Sequence, residues 1–499
     1  MNMRARMICL FVCLILGLFA VTGAFAEIQV VALPSKSPLV TLRVVYLAGA
    51  AADPANQPGL ATLTASMVAE GGTRDLTYKQ IVDAMFPMAT SVSSYADKEM
   101  TVFSGVTHVD NLDKYYALFR AMLLEPGWRQ DDFQRLKDDQ INFLRVSLRG
   151  NNDEELGKEV LYNAIYQGHP YGHHNAGTVS SLEKLAVADL QRFYKAHYTQ
   201  ANLILGVAGG YPPEFLARMK KDFSTLPGGA ASKPKLPAPK AAAEPSLLLV
   251  DKDTRSVAYS LGFPIEVKRG DPDYPALLLV QSYFGQHRNS GGRLYQRLRE
   301  QRGLNYGDYT YIEYFPQGMF RFEPAPNLAR SQQIFQIWIR PVEPPTAHFA
   351  LRLALYELDR LIRNGIGKED FERTRSFLSK YVNLLTRTKT AELGYAIDSA
   401  FYGIPVYNSY VKKSLAKLTV DDVNRAIRKH LRMSDLRVVA ITRNAAELRE
   451  KILGNAPSPM SYNSPKPKEI TDEDKIVEVW KISLKPEAAQ VVPVAKVFE

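Results

Sequence analysis

Cysteine is almost absent. Of 499 residues only Cys9 and Cys13 are thiols, and both lie in a stretch that reads as a secretory leader. That stretch has Arg4 and Arg6, an uncharged apolar run from Met7 to about Val21, and the small-residue site Ala24-Phe25-Ala26. Cleavage after Ala26 leaves 473 residues with no cysteine and a formal charge of +8, because Arg4 and Arg6 go with the leader. Such a chain has no disulfide, thiolate metal site or thiol nucleophile, although export would permit disulfides. No cysteine stands at the cleavage site to take a lipid anchor. Beyond the leader there is no long charge-free apolar run, so no membrane span is expected after cleavage. The alternative is an uncleaved anchor, since Met7 to Ala26 is 20 residues without charge. A G-x-S-x-G elbow is also missing, which leaves a serine hydrolase without support. The expected location is periplasmic or secreted. There a basic balance favours anionic headgroups or acidic peptides over nucleic acid.

What is present is an ordinary globular composition, 46% hydrophobic and 23% charged. The length exceeds what one core organises, so two domains are expected. Residues 227–246 are rich in Pro, Ala, Gly and Lys and read as an exposed linker. The expected order is leader 1–26, first domain 27–226, linker 227–246, second domain 247–455 and tail 456–499.

The two halves repeat each other. Ser181-Leu-Glu-Lys-Leu-Ala-Val-Ala-Asp-Leu190 matches Ser414-Leu-Ala-Lys-Leu-Thr-Val-Asp-Asp-Val423 at six of ten positions. Arg192 and His197 recur as Arg425 and His430 at the same offset of 233, and Asp132-Phe-Gln-Arg135 recurs as Asp370-Phe-Glu-Arg373 at 238. Colinear matches at nearly one offset mean duplication. Each half runs from strands to helices. Residues 40–47, 203–207 and 247–250 have strand character, and 59–70, 112–124, 131–148, 154–167, 348–363 and 368–385 have helical spacing. The fold class is α+β, with two homologous domains facing each other across a cleft. In the tail, residues 476–480 and 491–494 look strand-like.

Several motifs fall in a telling order: Pro58-Gly-Leu-Ala61, Gly71-Gly-Thr-Arg74, His169-Pro-Tyr-Gly172, and Arg293-Leu-Tyr-Gln-Arg-Leu-Arg-Glu-Gln-Arg-Gly-Leu-Asn-Tyr306. With the two-fold repeat, they resemble the pitrilysin/insulinase family of zinc metallopeptidases, relatives of the mitochondrial processing peptidase. The resemblance covers about 27 to 450. The family's zinc helix carries H-x-x-E-H, two imidazoles for the metal and a Glu to activate its water. Here those positions fall on Thr62, Ala65 and Ser66, on one helical face, and none can hold zinc or act as a base. The third ligand, a Glu, falls near Asn142, and residues 141–148 contain no carboxylate. H-x-x-E-H occurs nowhere else in the chain, so no metal is expected to bind it.

His169, His173 and His174 cluster, but Pro170 and Gly172 interrupt any helix that would present them together. A solvated loop with one capping imidazole is expected there. His108, His197, His287, His348 and His430 stand singly and read as structural.

The resemblance implies a role for Arg299 and Tyr306. In active members the C-terminal domain supplies an Arg and a Tyr, seven residues apart, to a zinc site on the N-terminal domain. Here a helix from about Arg293, ended by Gly303, would bring the guanidinium beside the phenol on the returning strand. Arg288, Arg293, Arg297 and Arg302 around them read as a solvated helix face. Since the family includes heterodimers that divide zinc motif and Arg/Tyr pair between subunits, the resemblance implies the Arg/Tyr subunit. Its partners would be a zinc-bearing homologous subunit, which supplies zinc and the catalytic Glu, and a peptide or protein substrate. The alternative is a non-catalytic scaffold or peptide-binding protein of the same fold.

Overall fold

A computed structural model describes residues 28–229, 236–240 and 242–499. The leader expected at 1–26, with both cysteines, lies outside the described residues. The first half builds β1 (Gln29–Pro34), β2 (Leu39–Tyr46), α1 (Leu60–Glu70), α2 (Tyr78–Met85), β3 (Ser93–Ala96), β4 (Thr101–His108), α3 (Leu112–Leu124), α4 (Gln130–Asn142), α5 (Asp153–Ile165), α6 (Val179–Lys184), α7 (Val187–His197), β5 (Leu203–Gly209) and α8 (Phe215–Phe223). The second half repeats this list as β6 (Ser246–Asp251), β7 (Val257–Ile265), α9 (Tyr274–Gly285), a π-helical turn (Tyr295–Glu300), β8 (Asn305–Tyr311), β9 (Gln333–Val342), α10 (Ala347–Asn364), α11 (Lys368–Tyr381), α12 (Lys389–Tyr402), α13 (Tyr407–Lys417), α14 (Val420–His430), β10 (Arg437–Thr442) and α15 (Ala445–Leu453). The tail adds α16 (Lys468–Val477) and β11 (Ala489–Pro493).

The first sheet runs β1-β5-β2-β4-β3, and the second runs β11-β6-β10-β7-β9-β8. Without β11 the two orders are the same, strand for strand. The β1–β5 and β6–β10 pairs are both parallel, and the other pairs of the shared order are antiparallel. Duplication is therefore visible in topology as well as in sequence.

The central strands of each sheet are buried on both faces. In β2, Val40, Leu42, Val44 and Tyr46 enter the core under α1 and α7, while Val45 joins a second cluster on the opposite face. That second face is covered from the other half. Helix α12 packs on β1 and β5, and in return α5 packs on β7 and β10. Both crossing helices carry Glu-Leu-Gly at one offset of 237, Glu155-Leu156-Gly157 and Glu392-Leu393-Gly394. A Cβ at Gly157 would lie 3.1 Å from Ser260 Oγ, and one at Gly394 would lie 2.4 Å from Pro326 Cγ. The glycines are thus required by close approach, not by backbone angle. Gly394→Leu is expected to cost about 1–3 kcal/mol through overpacking, read as a lower urea midpoint. A midpoint equal to wild type would refute the close contact.

Residues 312–332, between β8 and β9, lie between the halves and tie them with polar contacts. Tyr95 Oη donates to Pro326 O (2.9 Å), Arg43 to Asn327 Oδ1 (2.6 Å) and Tyr314 Oη to Glu159 (2.7 Å). Arg330 holds Asp97 through Nε and Nη2 at 2.8 and 2.6 Å. The tail makes a further tie. β11 runs parallel to β6, and Val497 and Phe498 then enter the first half's core. There Val179 and Ser180 donate backbone N–H groups to the carbonyls of Phe498 and Glu499 (3.1 and 2.7 Å). The strand character expected at 476–480 is not observed. Ile476 and Val477 end α16, which packs on α10 through Ile470 and Val477. Among the described residues no helix is long and apolar enough to cross a membrane.

Candidate functional site

Helix α1 starts at Gly59 (φ +94°) because Asp53, six residues upstream, caps it. The buried carboxylate accepts from the N–H groups of Gly59 and Ala61, both at 2.8 Å. This satisfies two donors that a helix start leaves free, and puts negative charge at the positive end of the dipole. Thr62 and Ser66 are half-buried and Ala65 is buried. Thr62 Oγ1 donates to Asn175 O at 2.6 Å. Gln140 of α4 donates to Gly59 O and Ala176 O at 3.1 and 3.0 Å. Lys98 donates to His173 O, and Asn175 Nδ2 donates to Asp97 at 3.0 Å. The segment 173–176 is thereby seated over the start of α1 by Thr62, Lys98, Asp97 and Gln140. Hydroxyl, methyl and hydroxyl do not fit zinc, and no three His, Cys, Asp or Glu among the described residues are grouped as a metal would require.

The histidine loop is not solvated as its sequence suggested. His169 and His174 are buried, and each caps a turn: His169 Nδ1 accepts from Tyr171 N, and His174 Nδ1 from Ala176 N, both at 2.9 Å. His173 Nε2 lies 3.2 Å from Asp53 Oδ2. A local Nδ1-to-backbone turn lets the loop bury its rings, which the interruption by Pro170 and Gly172 did not reveal. Burial drives the His174 imidazole down to about 3, with Lys98 and His173 adding to the shift. His287 falls to about 3 for the same first reason. Both folded values lie below the unfolded one, so below pH 6.5 the unfolded chain binds protons that the folded chain refuses. Stability is complete above about pH 6.5 and falls as pH drops toward 3. At pH 5 each such histidine is expected to cost about 2 kcal/mol. Thermal melts of wild type and His174→Phe at pH 7.5 and 5.0 measure this. An equal loss of Tm in both would remove His174 as a cause.

The structure brings Arg299 and Tyr306 together. Gly303 (φ +68°) closes the π-helical turn, with its N–H on the Arg299 carbonyl and the Leu304 N–H on the Leu298 carbonyl. In the β8–β9 ladder Asn305 pairs with Val342 and Gly307 with Arg340, which puts Tyr306 opposite Pro341. Proline has no N–H to give, and the Tyr306 carbonyl accepts from Arg299 Nη1 instead (3.1 Å). The guanidinium sits 4.7 Å from the Tyr306 ring centroid and 4.8 Å from that of Tyr295. Tyr306 is 58% exposed. A groove of about 480 Å³ opens beside it, walled by Asn305, Glu343 and the tail residues Ser461 to Asn463. The pair therefore offers a phenol and the remaining guanidinium N–H groups at the open edge of a sheet. Among the described residues, no hydrogen bond, ion pair or ring contact joins either residue to Thr62, Ala65 or Ser66.

Most of the surrounding basic set is not a solvated face. Arg297 and Arg302 are buried, and Arg293 is half-buried. Arg293 and Arg297 share Glu357 (2.8 and 2.7 Å), and Arg302 pairs with Asp474 and Glu473 of α16 (2.8 and 2.7 Å). Only Arg288 is exposed, lying over the Phe322 ring at 4.5 Å. The partner carboxylates lie far along the chain, where helical spacing alone cannot find them.

Known proteins share this architecture. Residues 30–179 match the family described as insulinase (peptidase family M16), and residues 184–378 match the peptidase M16 inactive domain. The chain belongs to the pitrilysin/insulinase family. An uncharacterized zinc protease of Rickettsia bellii is 23% identical over 377 residues, spanning 72% of this chain and 82% of the relative. A probable mitochondrial-processing peptidase subunit beta of Arabidopsis thaliana is 21% identical over 225 residues, 44% of this chain and 42% of that protein. Among solved structures, a peptidase M16 inactive domain from Pseudomonas fluorescens superposes with TM-score 0.74 at 22% identity, covering 84% of this chain and 96% of that one. The periplasmic protease PqqL of Escherichia coli gives 0.65 at 16% identity, covering 92% of this chain and 50% of its own. These likenesses are of fold.

Proposed function

We propose that this chain is the zinc-free subunit of an exported two-chain metallopeptidase. Its partner is a homologous subunit bearing H-x-x-E-H, which supplies zinc and the general base. This chain supplies Arg299 and Tyr306 to a cleft between the two. The observation that carries the reading is the Arg299–Tyr306 pair, held by a hydrogen bond and ring contact at an exposed sheet edge and joined, among the described residues, to none of Thr62, Ala65 and Ser66. In such a cleft Arg299 and Tyr306 donate to the substrate carbonyl as it becomes an oxyanion. Donors aimed at developing charge in a dry site stabilise the transition state more than the ground state.

Co-expression with an H-x-x-E-H subunit tests the reading, with zinc content and peptide cleavage measured in the same fractions. The expected result is an inert, zinc-free chain alone, and a complex that holds about one zinc per pair and cleaves peptides. A stable complex without cleavage would give the scaffold role instead. Stoichiometric zinc on the lone chain would overturn the proposal.

A further inference from the structure

Two side chains bracket Tyr306 and have no role in the account above. Asn305 and Asp308 lie on either side of it in β8, and Asn305 Nδ2 donates to Asp308 Oδ1 (2.5 Å) and to Gly307 O (3.2 Å). Asp308 is completely buried, and its other oxygen, Oδ2, has no partner; nor has Asn305 Oδ1. A buried polar pair with spare hydrogen-bonding atoms is costly, and a strand would ordinarily place apolar side chains there. Its one evident product is local geometry. The side-chain bridge from residue 305 to residue 308 fixes the backbone between them, at the strand end where Pro341 withholds a ladder donor.

We propose that Asn305 and Asp308 form a positioning clamp that holds Tyr306 against Arg299. The proposal rests on the reading of Arg299 and Tyr306 as the working pair and adds two residues that set its geometry. Neither touches the reacting atoms; they act through the backbone of Tyr306. Burial pushes the Asp308 carboxyl well above the usual carboxylate range. Burial thus favours its neutral form, against the pull of the Asn305 hydrogen bond and the Arg299 charge.

Tyr306 can report on the clamp directly. It is the only exposed tyrosine among the described residues, and all 26 tyrosines of the chain are described. The experiment uses the full mature chain without a partner. Mild nitration converts exposed tyrosine to nitrotyrosine, peptide mapping verifies the site, and the rate of Tyr306 nitration is followed at one fixed pH with Tyr306→Phe as blank. The guanidinium lies over the Tyr306 ring and covers one of its faces, so Arg299→Ala is expected to nitrate severalfold faster. Asn305→Ala and Asp308→Leu are expected to do likewise, because the ring loses its place beneath the cation. Asp308→Asn, which keeps an acceptor oxygen, is expected to react as wild type. If Asp308→Leu fails to fold, Asn305→Ala removes the same bridge from the half-buried side. A wild-type rate in every clamp variant, with a faster rate only in Arg299→Ala, would overturn the clamp and leave the proposed function standing.

Discussion

Arg299→Ala in the two-subunit complex is expected to lower kcat by about 10²–10³-fold, the loss that accompanies removal of one donor at a developing oxyanion, about 2.7–4 kcal/mol. Zinc content, complex formation and Tm should hold at wild-type values. The side chain is partly exposed, and among the described residues it contacts Tyr306, Tyr295 and a distant Glu300 (4.0 Å). Tyr306→Phe should fall in the same direction. The double variant should lose less than the product of the two single losses, because residues acting as a unit are not additive. A mutant complex that cleaves at the wild-type rate would remove Arg299 from the reaction. A loss in KM alone, with kcat unchanged, would make the pair a peptide anchor rather than a stabiliser of the transition state.

The largest structural effect is expected at the ion pair between the halves. Asp97→Ala leaves Arg330 buried without its carboxylate, and breaking a buried pair in this way costs about 3–5 kcal/mol. Both side chains are almost wholly shielded, with two N–H···O contacts and the Arg330 guanidinium 3.5 Å from the Tyr314 ring centroid. Against a total stability of about 5–15 kcal/mol, such a loss is a large fraction. Asp97→Ala combined with Arg330→Met should recover much of it, since removing both charges leaves neither stranded. Urea denaturation of the singles and the double measures this. A single-variant loss below about 1 kcal/mol, the value of an exposed pair, would show that water reaches the site. Lys98, next in sequence and equally shielded, is lowered to about 8 by burial, so it stays largely protonated at neutral pH.

How much of this was legible in the residues depends on the distance over which each element is decided. The repeat at 181–190 and 414–423 lies in α6–α7 and α13–α14, and the equivalence of the two segments could be read because matching residues need no tertiary information. That Thr62, Ala65 and Ser66 share one helix was readable because such spacing needs no tertiary information. The exchange of α5 and α12 was not read. Periodicity says that a helix has an apolar face, not which sheet receives it, yet the twin Glu-Leu-Gly was there as a signal. Arg297 and Arg302 were misjudged because charge spacing on one helix says nothing of Glu357, Glu473 or Asp474. Residues 476–480 misled through β-branched composition, which packing of Ile470 and Val477 against α10 overrides. Asp53 escaped notice because it caps α1 from outside the usual capping position, and Pro341 because its effect is felt on the opposite strand.

The exchange of helices also fixes an order of events during synthesis. When β5 has emerged, from the ribosome or from an export channel, the first sheet is complete in strands but lacks α12, which covers one of its faces. Val45, Val102, Ile204 and Ala208, packed against Leu393 and Ile397 in the finished protein, then have no partner until most of the second half has been made. A nascent chain in that state exposes a strip of sheet suited to wrong pairing, the common hazard of large proteins that fold as they emerge. Neither half is therefore a self-sufficient unit. Separately expressed halves should be insoluble alone and recover only when made together, each lending the other its missing helix.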